Sequence, residues 1–303
     1  MRFIISFLIF CLLIQHPPLR AALGDGDGDG DGERDTRHLK ILSWNIYMLP
    51  PLITFTGKKK RANAIADTLA SSDYDVIVFQ EAFHRQCRRI LRKKLRENFA
   101  YEVGPKGIKP LSLRTNSGVW ILSKYPVTDI DHIKFTNKWG FDNRMSRKGA
   151  LMIEFLKDGQ PFQLIGTHLN SEGPAEVRLS QIKQIQDKLI MPYQREGVPL
   201  FICGDFNIDK HLPEEYNTML ALLNAEDGPL QDALIYTCDP SKNKLCTFNR
   251  AYYDYILVCQ NGAALTNPKR KIAHLKKSWC DKYCDLSDHE AVEIDINFMA
   301  KRN

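Results

Sequence analysis

Short apolar runs recur along this 303-residue chain, and only a few segments show the wider spacing of a helix. Leu39 to Trp44, Asp75 to Phe79, Gly118 to Ser123, Leu151 to Leu156, Phe162 to Thr167, Leu200 to Cys203, Tyr255 to Cys259 and Ala291 to Ile296 predict strands. Lys59 to Ala70 has helical periodicity. So does Phe83 to Phe99, where Cys87, Ile90, Leu91 and Leu95 form one apolar face and turn the arginines and lysines outward. Leu179 to Leu189 is amphipathic with a stop at Pro192, and Tyr216 to Leu223 predicts another helix. So many strands with so few helices do not alternate as βαβ units. They suit two β-sheets packed face to face with helices outside, an α/β sandwich. No repeat or second composition regime follows residue 37, so residues 38–303 are read as one domain.

The first residues add a compartment. Met1-Arg2 is basic, Phe3 to Ile14 is almost wholly apolar, and Pro17-Pro18 and Ala21-Ala22 follow. This order predicts a secretory signal peptide over residues 1–22 and a secreted protein, the run being shorter than the roughly 20 residues a membrane span needs. The Gly/Asp alternation in residues 23–37 has nothing to bury and predicts a flexible leader. A hydrophobic content of 44% supports a sizeable core, and the mature protein is expected to be a soluble monomer.

Export permits disulfides, and Cys238 with Cys246, and Cys280 with Cys284, are plausible local pairs. Cys203 and Cys259 lie in strand-like runs and read as buried thiols, and no Cys/His spacing of a zinc site occurs. The net charge of +6 is clustered at Lys58 to Arg61, Arg85 to Arg96, and Lys269 to Lys277. Each cluster alone reads as a solvated face. Together they suit an anionic or zwitterionic surface, or a nucleic acid.

Polar residues of chemical interest stand at the ends of the apolar runs. Asn45 follows ILSW, Glu81 follows VIVFQ, His168 follows LIGT, and Asp205 and Asn207 follow LFICG; Asp254 precedes YILV and Asp288-His289 precedes AVEI. One acid at a strand end is ordinary turn chemistry, but a set at six ends reads as one site assembled from several loops. Its oxygen donors suit Mg²⁺, Mn²⁺ or Ca²⁺ better than zinc, and two histidines offer acid, base or donor roles near neutral pH. There is no G-x-S-x-G elbow, Walker loop or dinucleotide fingerprint. In-line attack of water on a phosphoester is the chemistry that fits.

QEAF at 80–83, GTHLN at 166–170, CGDFNID at 203–209, YYDYILV at 252–258 and SDHEAV at 287–292 together resemble the endonuclease/exonuclease/phosphatase superfamily, from about residue 38 to the end. The resemblance implies a deoxyribonuclease I-like four-layer fold and a role for each position. Glu81 would be the main Mg²⁺ ligand, with Asn45 and Asp288 beside it. Asp205 and Asn207 would also face the metal, orienting water and a phosphoryl oxygen. His289 would be the general base, oriented by Asp254. His168 would stabilise charge on phosphorus or protonate the leaving oxygen.

WNIYMLP at 44–50, NSGVWILSKYPV at 116–127, SRKGAL at 146–151 and TCDPSKNKLCTFN at 237–249 resemble the neutral and bacterial sphingomyelinases in particular. This implies a membrane sphingolipid as substrate, with peripheral membrane contact. Asn116 stands where bacterial members carry an acid that helps orient the first histidine, which leaves the partner of His168 open. Asn143 takes the place of an Asp that some animal members set before the lysine of the KG segment; Asp142, one residue further out, is a candidate partner for Lys148. Trp279 and Tyr283, flanked by lysines, are candidate membrane residues, and Lys148 a candidate substrate residue. Two alternatives share these residues: a secreted metal-dependent endonuclease with nucleic acid as partner, and an inactive membrane-binding member.

Overall fold

The structure, a computed structural model, describes residues 36–50, 57–107, 114–231, 235–263 and 265–299. In chain order the elements are β1 (Thr36–Asn45), α1 (Lys58–Leu69), β2 (Val76–Gln80), α2 (Arg85–Leu95), β3 (Tyr101–Val103), β4 (Trp120–Ser123), β5 (Val127–Lys134), α3 (Phe141–Met145), β6 (Gly149–Lys157) and β7 (Gln160–His168). They continue as α4 (Ala175–Ile185), α5 (Met191–Tyr193), β8 (Leu200–Asp205), α6 (Pro213–Leu223), β9 (Ala225–Glu226), β10 (Asp254–Cys259), β11 (Thr266–Ala273), β12 (Lys276–Cys280), β13 (Tyr283–Asp285) and β14 (Ala291–Met299).

Two six-stranded sheets form, in the orders β11-β14-β1-β2-β4-β3 and β5-β6-β7-β8-β10-β9, with β12-β13 as a separate hairpin. The expected sandwich is present. Its central strands bury both faces, which is why they read as continuous apolar runs. Leu39 and Ile41 of β1, Val76 and Val78 of β2, Ile153 of β6, Leu164 of β7 and Phe201 of β8 face the space between the sheets. Phe162 stacks on Phe155 with ring centroids 5.5 Å apart and meets Phe298 edge-on at 5.0 Å. Burying each such ring contributes about 1.5–3 kcal/mol. The opposite faces carry Trp44, Phe79 and Trp120 beneath α1 and α2, and Met152, Ile165 and Ile202 beneath α4 and α6.

Three details depart from the sequence reading. β1 starts at Thr36, with Thr36 opposite Met299 and Arg37 opposite Phe298, so the last two residues of the expected leader belong to a strand. The signal peptide and the rest of the leader lie outside the described residues. Pro192 does not end the helix: Gln186–Ile190 widens into a π-turn, and Pro192 sits in the first turn of α5, where its missing N–H is not needed. Finally, the basic runs are not wholly solvated faces: Lys58 and Arg61 of the first, Arg88 of the second, which donates to the Ala82 and Phe83 carbonyls instead of turning outward, and Arg270 of the third are buried.

Both sheets present their functional ends at one edge for a topological reason. β1 and β2 run parallel, as do β7 and β8, so their C-termini share an edge. β14 is antiparallel to β1, β10 to β8 and β6 to β7, so these strands begin at the edge where their neighbours end. Asn45, Glu81, His168 and Asp205 thus meet Lys148, Asp254, Asp288 and His289.

Candidate active site

Asp205 is the hub. Its Oδ2 accepts a hydrogen bond from Asn45 Nδ2 at 3.0 Å and lies 3.4 Å from His168 Nε2 and 3.8 Å from His289 Nε2. Its Oδ1 accepts from the backbone N–H of Asn207 at 3.0 Å. The preceding Gly204 allows this approach, since a Cβ there would fall 2.2 Å from the Thr167 carbonyl oxygen. Burial alone would raise the Asp205 carboxyl, yet His289 and His168 outweigh it and hold the group below its ordinary range.

His289 Nδ1 lies 2.8 Å from Asp254 Oδ2. Burial works against the imidazolium, but Asp254, Asp205 and Asp288 prevail and raise the ring well above its usual value. Asp254 holds the Nδ1–H, so Nε2, on the Asp205 side, is the position that gains or loses a proton. Without a cation these acids favour the protonated ring, and a cation neutralising them would lower it toward the free-base form. Backbone anchors hold the pair: Trp44 Nε1 donates to the His289 carbonyl at 2.9 Å, and Ser287 Oγ donates to the Asn45 carbonyl at 2.6 Å.

Glu81 and Asp288 are the second group. Burial first, then the Asp288 charge, pushes the Glu81 carboxyl up to about 7, and burial raises Asp288 as well. Glu81 Oε2 is buried without a hydrogen-bond partner. Two enclosed carboxylates, both raised by burial and one with a bare oxygen, fit a hard divalent cation. Asn45 Oδ1 beside them is engaged by the Tyr47 N–H at 3.1 Å. Tyr47, Glu81 and Asn207 all have positive φ, near +50°, a region that only about a few per cent of non-glycine residues occupy. Three such residues in one site mark backbone held by its surroundings.

His168 is the departure. Lys148 Nζ lies 3.0 Å from its Nε2 and also donates to the Leu169 carbonyl at 2.8 Å. Nδ1 is buried with no partner, while Asn116 Oδ1 accepts from the Gly118 N–H instead. Burial and Lys148 push the ring down to about 3, so it is neutral near pH 7. The side chain of Asp142 lies outside the described residues. Trp279 and Tyr283 are not in this cluster. They stack on each other at 5.4 Å, and Trp279 packs on the core beneath α1 and donates its indole N–H to the Asp285 carbonyl at 2.8 Å.

Sequence reasoning missed Arg61 and Cys238. Arg61 donates to the carbonyls of Ile46 at 3.1 Å, Leu286 at 2.8 Å and Tyr47 at 2.6 Å, tying the Asn45 turn to the Asp288 turn. A basic run hides such a residue, because its spacing gives no sign of which arginine turns inward. Ligand atoms of Cys238, Asp254 and His289 lie within 4.8 Å of one another. A hydrogen bond with Cys246, then burial, holds the Cys238 thiol well above its ordinary range, so it remains protonated and a poor metal ligand. The expected pair Cys238 and Cys246 are neighbours, but they and Cys280 and Cys284 are free thiols.

A cavity of about 550 Å³ opens above these groups. Glu81, His168, Asp205 and His289 form its floor, and Leu49, Phe83, Phe141, Met145 and Phe248 line its walls. A two-sheet sandwich with two imidazoles around one carboxylate and further enclosed acids at one edge suits hydrolysis of a phosphoester. The chain belongs to the endonuclease/exonuclease/phosphatase family, whose model matches residues 42–289. It is 30% identical to a sphingomyelinase C of Leptospira interrogans over 249 residues, 74% of this chain and 44% of that protein. Against a phospholipase C of Staphylococcus aureus it is 30% identical over 251 residues, 76% of this chain and 75% of the relative. A crystal structure of a Staphylococcus aureus beta toxin mutant with bound magnesium ions superposes with a TM-score of 0.76 at 25% identity, covering 88% of this chain and all of that one.

Proposed function

We propose that the protein hydrolyses sphingomyelin to ceramide and phosphocholine, and that it does so with Mg²⁺. The observation that carries this is the cavity's two-sided chemistry: a carboxylate and imidazole floor directly beneath aliphatic and aromatic walls. A nuclease needs an open cationic groove along a phosphate backbone. A lipid phosphodiester needs a polar floor for the phosphate and an apolar route for the chain. The names of the relatives point the same way.

In this reading Glu81 and Asp288, with Asn45 close by, hold the cation, which when bound supplies positive charge to the phosphoryl oxygens. Asp205 and Asn207 complete that side of the site and position the attacking water. The water oxygen bonds to phosphorus, its proton passes to His289 Nε2, and the bond from phosphorus to the ceramide oxygen breaks, that oxygen taking up a proton from solvent water. Asp254 stabilises the resulting imidazolium from the far side of the ring at 2.8 Å. The neutrality of His168 disfavours its donating a full proton, and to hydrogen-bond a phosphoryl oxygen through Nε2 it would have to release the contact with the donor-only Lys148 ammonium. Lys148 supplies cationic charge beside it. Export is proposed from the apolar N-terminal segment.

The test is phosphocholine release from sphingomyelin liposomes with Mg²⁺, with Mn²⁺ and with EDTA, alongside plasmid DNA. Metal-dependent phosphocholine with intact plasmid is expected. Nicked plasmid without phosphocholine would overturn the lipid reading in favour of a nuclease. Liposome binding without turnover on either substrate would mark an inactive membrane-binding member.

A further inference from the structure

Between β5 and β6 the chain folds over the mouth of the catalytic cavity. Trp139 there is 52% exposed and Phe141, which lines the cavity, is 75% exposed; Phe248 on another loop of the cavity wall is 51% exposed. Single exposed hydrophobics are ordinary, but two aromatics within three residues beside a lipid-sized cavity form a rim. They are held rather than trailing. The Trp139 N–H donates to Asn170 Oδ1 and its carbonyl accepts from Asn170 Nδ2, both at 3.2 Å, and its ring covers Gly173, where a Cβ would fall 2.5 Å away.

The charge around this rim is one-sided. Residues 134–147 contain Lys134, Lys138, Arg144 and Arg147 against Asp142 alone. Lys138 donates to the Ser146 carbonyl at 2.6 Å. Burial, then the like charges of Lys134, Lys148, Arg114 and Arg147, push it down to about 8. A neighbouring cavity of about 230 Å³ is lined by Lys106, His132, Lys134 and Arg147. Of the nearby acids, Asp129 pairs with Lys106 and Asp131 accepts from the Tyr193 hydroxyl, whereas Glu172 is exposed beside Gly140 and offsets part of this charge.

We propose that the segment 134–147 docks the protein on an anionic lipid surface, with Trp139 and Phe141 entering the interface and the exposed Lys134 and Arg144 meeting the headgroups, while Lys138 and Arg147, which donate to backbone carbonyls, add positive charge behind them. It rests on the lipid reading of the cavity, which would then face the membrane. The Trp279 hairpin is the weaker candidate, because its indole packs on the domain and its N–H is satisfied inward.

Vesicle co-sedimentation in EDTA, which separates docking from turnover, tests this. Vesicles of phosphatidylcholine and sphingomyelin are compared with and without phosphatidylserine. Phosphatidylserine is expected to tighten binding roughly tenfold at low salt, and added salt to cancel the gain. Lys134→Glu with Arg144→Glu should remove that gain, and Trp139→Ser should weaken binding to both vesicles roughly tenfold. A control, Lys277→Glu with Lys282→Glu on the hairpin, should bind as wild type. Unchanged phosphatidylserine dependence in the 134/144 variant would overturn the proposal. So would loss of binding in the hairpin control. Wild-type docking without phosphocholine release in Mg²⁺ would sink the catalytic reading and leave docking supported. Turnover with unaltered variant binding would do the reverse.

Discussion

Asp254 and Asp205 are both buried carboxylates within reach of His289, yet they are pushed in opposite directions. Asp205 is stabilised as an anion chiefly by His289, with Asn45 donating to it, whereas Asp254 rises to about 6, chiefly through burial, with His289 opposing the rise. Asp254 makes a short bond to Nδ1, which in the proposed mechanism leaves Nε2 to take the water proton. His289→Ala removes the base itself and should lower turnover by about 10²–10⁴-fold. Asp254→Asn keeps the shape but lets the ring adopt the wrong tautomer, and should cost a comparable factor. Glu81→Ala should abolish metal-dependent turnover. All three should keep a native circular dichroism spectrum. Losses below tenfold in His289→Ala or Glu81→Ala, with that spectrum intact, would remove those residues from the mechanism.

At the scale of elements, the site was legible because the sandwich puts parallel C-termini and antiparallel N-termini on one edge, so polar residues at run ends had to converge. What escaped was carried by packing rather than by pattern. β5 alternates polar and apolar residues at a sheet edge, with no continuous apolar run to announce it. α3 is too short for periodicity to register. The positive φ of Glu81 and Asn207 leaves no mark in composition, and Arg61 is indistinguishable in sequence from the solvated Lys59 and Lys60 beside it. Yet Arg61 joins the end of β1 to the turn before β14 through three carbonyls. Arg61→Met would strip donors from buried acceptors at about 1–3 kcal/mol each and should destabilise the fold by about 3 kcal/mol or more. Arg61→Lys, with one point-like donor group, should recover only part of this. Urea unfolding measures it, and a change below about 0.5 kcal/mol in Arg61→Met would show the three carbonyls to be satisfied otherwise.

For the whole molecule, the same carboxylates that prepare the site oppose folding until a cation arrives. Glu81 moves from an ordinary 4.5 to about 7 on burial beside Asp288. An acid raised on folding holds its proton more tightly in the folded state. Its favourable contribution is therefore complete below the unfolded value and lost as pH rises through the folded one. In EDTA, thermal stability should fall between about pH 5 and about pH 8, with this group contributing on the order of 3 kcal/mol. Glu81→Gln cannot ionise, so it should flatten that part of the slope and melt above wild type at about pH 8 in EDTA. Asp288, raised in the same direction, would leave a residual slope. Added Mg²⁺ supplies the missing positive charge only where Glu81 can ligate it. It should raise the melting temperature of wild type and leave Glu81→Gln nearly unmoved. A Glu81→Gln variant that melts below wild type in EDTA, or gains as much from Mg²⁺, would place the cation elsewhere. The pair would then be an internal strain without a ligand to relieve it.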